Sequence, residues 1–172
     1  MSEAAYCRVA ADLMVAVTEA FQKPRLLPAF LLFYTSIDVI SSLTRPIVKP
    51  DTDGEIFKRW VDDYMLPDSG LSCRSEEVWA ARCGFLHTLT VESKLSREGR
   101  ARRLHYANSK EAAAYGQKKI DPPAEHHLFI VLGDYVSAFI AGVERFSVRI
   151  QTEPELQAVV YHHATKLVVQ EE

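Results

Sequence analysis

The sequence predicts an all-α fold, an antiparallel bundle of about five to six helices in a single domain over residues 1–172, and three observations carry that expectation. The longer apolar segments repeat at intervals of three and four rather than alternating, which is the spacing of a helix face. Only 7 Gly occur, fewer than a chain of short strands joined by tight turns would use. A hydrophobic share of 48% with 25% charged residues belongs to a chain that buries a core, not to a disordered one. At 172 residues one core is comfortable and two would be cramped.

Along the chain, Ala5, Val9, Leu13, Ala16, Val17 and Ala20 share one stripe of a first helix over residues 3–22, closed by Pro24. A second helix is expected from about Arg25 to Leu43, with Pro28 tolerable in its first turn. Its run LLPAFLLFYTSIDVISSL approaches the length of a membrane span, but Asp38, Pro28 and several hydroxyl side chains mark a core helix instead. TRPIVKPDTDG is loop, and Asp53 is placed to cap a short third helix with Ile56, Phe57, Trp60, Val61, Tyr64 and Met65 on one face. After the break at Pro67, Asp68 and Gly70, Ser75 followed by Glu76, Glu77 and Val78 has the shape of a capping box opening a fourth helix over 76–92.

The stretch ARRLHYA, residues 101–107, alternates loosely and predicts a short strand, alone or as one arm of a β-hairpin near residues 101–120. Beyond DPPAEHH the longest helix is expected from Glu125 to Gln151, with Leu128, Leu132, Tyr135, Phe139, Gly142 and Phe146 on one stripe. A last helix should run from Pro154 to about Val169.

Charge and cysteine content narrow the function. The formal net charge is −3, yet residues 94–119 concentrate Lys94, Arg97, Arg100, Arg102, Arg103, Lys110, Lys118 and Lys119 against Glu98 and Glu111 alone. A segment of that composition attracts phosphates, or is simply a solvated loop. Cys7, Cys73 and Cys83 form an odd set without the spacing of a disulfide framework or zinc ribbon, as expected for a reducing cytoplasm. MSEAAYCRVAADL lacks a basic segment followed by an apolar one and does not read as a secretory leader. His126-His127 and His162-His163 diverge by about 100° around a helix, so neither pair is a chelate, and surface or helix-end positions are expected. No metal or other cofactor is expected, and Trp60 and Trp79 read as core anchors.

The chemistry-bearing stretch is WAARCGFLHT, residues 79–88. Arg82 and His87 lie about 140° apart around a helix, awkward for one small ligand but natural for a groove shared across a two-fold axis. Asp38, inside an apolar helix, needs a partner; Arg82 or His87 would serve, as would a neighbouring helix end or solvent.

An Arg, four residues and a His within a late helix of a small bundle, preceded by YTSIDVISSL and FKRWVDDYM, resembles the HEPN superfamily over roughly residues 25–150. The resemblance implies a metal-independent endoribonuclease working as a homodimer, often the toxic half of a toxin–antitoxin pair. Its chemistry would be attack of an RNA 2′-hydroxyl on the adjacent phosphate, with Arg82, His87 and Asp38 as the catalytic set. Arg97, Arg100, Arg102, Arg103, Lys118 and Lys119 would then bind the RNA backbone. One position departs from the family pattern: Cys83 follows the Arg where a polar residue is common. That favours the alternative reading, a non-catalytic HEPN-like module that binds a nucleotide or a protein.

Overall fold

The computed structural model describes residues 2–120 and 124–167. The chain is all-α with one short β element, and among the described residues no helix is long and apolar enough to cross a membrane. Helix α1 (Ser2–Phe21) turns back through a short loop into α2 (Leu26–Ser42). Helix α3 (Gly54–Trp60) is capped by Asp53, whose carboxylate accepts from the backbone N–H of Glu55 and Ile56 at 3.1 and 3.0 Å. It continues into a single π turn, Val61–Met65. Then come α4 (Ser75–Thr88), the one-turn α5 (Lys94–Arg97), strand β1 (Arg103–Ala107), α6 (Lys110–Lys119), strand β2 (His127–Val131), α7 (Leu132–Thr152) and α8 (Pro154–Ala164).

Phe33, Tyr34, Ile37 and Ile40 of α2 and Tyr135, Phe139, Val143 and Phe146 of α7 are buried in one continuous cluster that extends into α3, α4 and both strands. The Phe33 ring lies 4.9 Å from that of Tyr135 and 5.4 Å from that of Phe139. Each such side chain taken out of water contributes about 1.5–3 kcal/mol. Within this apolar centre the hydroxyl of Tyr34 bonds those of Tyr106 on β1 and Tyr135 on α7, so three elements are pinned by one polar cluster.

The π turn has a packing cause. Gly142 of α7 presses against it so closely that a Cβ there would sit 3.0 Å from the Met65 Cα and 3.1 Å from the Tyr64 carbonyl oxygen. The Tyr64 carbonyl accepts a hydrogen bond from Arg145, one turn further along α7.

Two sequence expectations are overturned between residues 101 and 151. No hairpin forms over 101–120: residues 110–119 are helical, and β1 pairs in parallel with β2, Arg103 opposite His127 and Ala107 opposite Val131. Parallel strands need a long crossover, and α6 supplies it. The long helix therefore starts at Leu132 rather than Glu125, because His127–Val131 is that second strand. Leu128, Leu132 and Tyr135 happen to fit a helical stripe, but Leu128 and Ile130 are buried with Phe129 between them half-buried, the period of a strand. Gln117 secures the outer edge, donating to the His127 carbonyl at 3.0 Å and accepting from the Phe129 N–H at 3.1 Å. The fourth helix ends at Thr88 rather than 92, and the last at Ala164; the remainder predicted up to Val169 reaches past residue 167, outside the described residues.

Candidate functional site

Helices α2 and α4 lie side by side in opposite directions: Phe30 stacks on Phe85 at 4.8 Å, and two turns along α2 Asp38 meets Arg82. The pairing is bidentate. Arg82 Nε donates to Asp38 Oδ1 and Oδ2 at 3.2 and 2.9 Å, and Nη2 donates to Oδ2 at 2.7 Å. Each side chain keeps about a fifth of its surface exposed, 20% for Arg82 and 21% for Asp38. The neighbouring Cys83 sulfur also interacts with the guanidinium as a weak acceptor. Beneath the guanidinium lies the Trp79 ring, its centroid 4.9 Å from Arg82 Cζ, one helical turn earlier on the same face.

Electrostatics keep the pair ionic. Burial lifts Asp38 above its usual range, while the hydrogen bond and charge of Arg82, and more weakly the charge of His87, oppose the rise. Burial also works against the charge on Arg82, but hydrogen bonding and attraction from Asp38 outweigh it and raise the guanidinium further. His87 stands exposed in the last turn of α4, close enough for its charge to be felt at Asp38. The structure thus joins Arg82 and Asp38 directly, while His87, five residues further along α4, reaches the pair only through the weak influence of its charge on Asp38.

Two backbone features set His87 in place. Leu89 closes α4 in a left-handed conformation, φ 55°, with its N–H bonded to Phe85 and that of Thr90 to Gly84. The chain then folds back across the helix so tightly that a Cβ on Gly84 would lie 2.5 Å from the Thr90 carbonyl oxygen and 2.8 Å from that of Glu92. Glycine at 84 is what permits the return.

Cys83 is half-buried beside Arg82, and burial raises its thiol even though the guanidinium pulls the other way. It stays protonated and is a weak donor. Cys73 is buried and pushed up to about 12 by burial, and Cys7 is exposed.

The basic segment divides. Arg97, Lys118 and Lys119 are exposed, Lys119 lying over the Tyr115 ring, and Arg100 is 68% exposed with only a 3.4 Å contact to Glu98. Arg102 and Arg103, expected on the RNA, are both engaged in ion pairs within the chain. Arg102 clamps the Glu77 carboxylate through Nε at 2.6 Å and Nη2 at 3.0 Å, and Arg103 pairs with Glu92 at 2.7 Å. Glu77 is the hub that sequence reading missed. It is fully buried, and its carboxylate also accepts from the Arg74 backbone N–H at 2.9 Å, the returning half of the capping box at the start of α4. The histidine pairs split as well: His126 and His162 face outward. His127 is buried against His105 at 2.8 Å, and His163 is buried on the Arg45 carbonyl at 3.0 Å, so neither of these is a surface residue. Among the described residues no three His, Cys, Asp or Glu side chains gather as a metal site.

Trp79 is the other omission. Sequence reading made it a core anchor, yet it is half-buried beneath Arg82, a role its spacing three residues before the Arg could have signalled. Comparison with known proteins leaves this geometry as the ground for any functional reading: no protein family, no curated protein and no solved structure matches the chain.

Proposed function

We propose that the protein is a metal-independent endoribonuclease of HEPN type, acting as a homodimer whose two α4 helices present Arg82 and His87 to a shared groove. The observation that carries this reading is the fixed, partly exposed guanidinium. Asp38 immobilises Arg82 through Nε and Nη2 while a fifth of the side chain stays exposed, and His87 stands exposed in the last turn of the same helix. An arginine already oriented loses little further freedom on meeting a phosphate, and its donors are aimed where charge grows in the transition state.

In this mechanism His87 of one subunit takes the proton from the RNA 2′-hydroxyl as that oxygen attacks the neighbouring phosphorus. The bond to the 5′-oxygen breaks, and the leaving oxygen receives a proton from the second imidazole of the groove. Products are a 2′,3′-cyclic phosphate end and a 5′-hydroxyl end. Imidazole is the side chain suited to both transfers near neutral pH. Asp38 positions Arg82 and does not touch substrate. Lys118, Lys119, Arg97 and Arg100 supply contacts to the RNA backbone, and a protein antitoxin that covers the groove would hold a cytoplasmic toxin of this kind in check.

The test is RNA cleavage in the presence of a chelator. His87→Ala should abolish cleavage while thermal unfolding stays unchanged, since the side chain is exposed. A second reading, binding without turnover, is favoured by the protonated, weakly donating Cys83 beside Arg82. Under that reading RNA is retained, weakening steeply as salt rises, but neither wild type nor variant cuts it.

A further inference from the structure

On the far side of Trp79 from the bulk of the core, an open cleft of 380 Å³ lies between the start of α3, the first turns of α4 and the segment through α5. Its size is that of sites that hold one small ligand. Asp53, Gly54, Glu55 and Lys58 form one wall, Glu76 and Trp79 another, and Leu95 and Arg100 the third. The indole enters this space because residue 54 has no side chain: a Cβ there would stand 2.8 Å from Trp79 Cε2 and 3.0 Å from Cζ2.

The charged groups of the cleft are not equivalent. Asp53 is tied to Lys49, Glu55 to Lys58, and Arg100 loosely to Glu98. Glu76, exposed at the opening of α4, has no ionic partner among the described residues. The cleft therefore offers the part of the Trp79 indole left open by Arg82, Gly54 and Phe57, one uncommitted carboxylate, and one loosely paired cation, Arg100, at its rim. Through Trp79 it also adjoins Arg82, whose guanidinium rests on the same ring.

We propose that this cleft is a base-recognition subsite for an unpaired RNA nucleotide next to the scissile phosphate, selecting bases that carry an exocyclic amine. The inference rests on RNA being the ligand of the Arg82–His87 site. The base packs on the Trp79 indole, as bases of single strands pack on aromatic side chains. A carboxylate only accepts hydrogen bonds. Glu76 therefore bonds the amine of adenine, cytosine or guanine, and is repelled by uracil, whose single edge N–H is flanked by two carbonyl oxygens. Arg100 faces the phosphate.

The experiment is titration of the full chain with adenosine, cytidine, guanosine and uridine 5′-monophosphates up to about 10 mM, read by quenching of tryptophan fluorescence. Trp60 is buried and serves as a constant background. The three amine-bearing nucleotides should quench saturably and bind about tenfold tighter than uridine monophosphate. Glu76→Gln, whose amide both donates and accepts, should erase that preference. Arg100→Ala should weaken all four alike and flatten the salt dependence. Both positions are exposed, so neither change threatens the fold. Equal affinity for all four nucleotides, preference unchanged in Glu76→Gln, or no saturable quenching overturns the subsite. Base preference without RNA cleavage upholds the subsite and removes the nuclease reading; cleavage without base preference does the reverse.

Discussion

At the residue scale, the account turns on Arg82 being held rather than merely present. Asp38→Asn keeps the shape but removes the countercharge, and with a fifth of each partner in contact with water the cost should be about 1–2 kcal/mol of stability. Cleavage should fall far more than stability does. Denaturant unfolding alongside a cleavage assay separates the two, and a variant as active as wild type would deny Asp38 its positioning role. The left-handed Leu89 gives a second prediction. Its side chain is 54% exposed, so Leu89→Gly forfeits little burial while relieving a backbone conformation that costs an L-residue about 1–2 kcal/mol. A rise in Tm is expected. Gly84→Ala should act in the opposite sense, losing about 1–3 kcal/mol as Thr90 and Glu92 are pushed away, and dislodging His87 with them. Arg82 and Asp38 were legible in the sequence because a charged residue in an apolar helix must be paired. The structural duty of Arg102 and Arg103 was not, because their acid partners lie 25 and 11 positions away, Glu77 and Glu92.

At the element scale, the β1–α6–β2 unit is the part the sequence concealed. Helix α6 buries none of its residues, so it shows no apolar stripe, and β2 is five residues long, too short for its period to be told from a helical one. The long, strongly patterned helices α1, α2 and α7 were readable for the converse reason. The unit packs on the bundle through Leu104, Leu128 and Ile130, but ionisable groups within it and at its start make its stability sensitive to pH. Burial opposes charge on Glu77, but hydrogen bonds from Arg102 and the Arg74 backbone lower its pKa below the usual 4.5. A depressed carboxyl contributes stability above the unfolded value and loses it as pH falls through the folded one. His105 and His127 are both held below the usual 6.5, chiefly by burial, so the unfolded chain takes up their protons first and stability drops as pH falls beneath that value. Unfolding free energy should therefore decline in two stages on acidification, the first reduced in His127→Gln and the second in Glu77→Gln. At neutral pH Glu77→Ala should cost about 1.5–3 kcal/mol, since it removes the buried acceptor of the Arg102 clamp and of the Arg74 N–H.

At the scale of the whole molecule, one bundle presents a fixed, partly exposed guanidinium on α4 and an exposed imidazole in the last turn of that helix, with a cleft beside Trp79. One subunit supplies one imidazole there, whereas the proposed reaction needs a base and an acid. Activity should consequently follow the dimer, and dilution that dissociates it, monitored by light scattering, should lower the specific rate. The most direct measurement is mass spectrometry of a short single-stranded RNA after incubation with the wild-type protein and with His87→Ala, both in chelator. Fragments ending in 2′,3′-cyclic phosphate and 5′-hydroxyl are expected from wild type and intact RNA from the variant. Identical fragments from both proteins, or intact RNA from both, would contradict it.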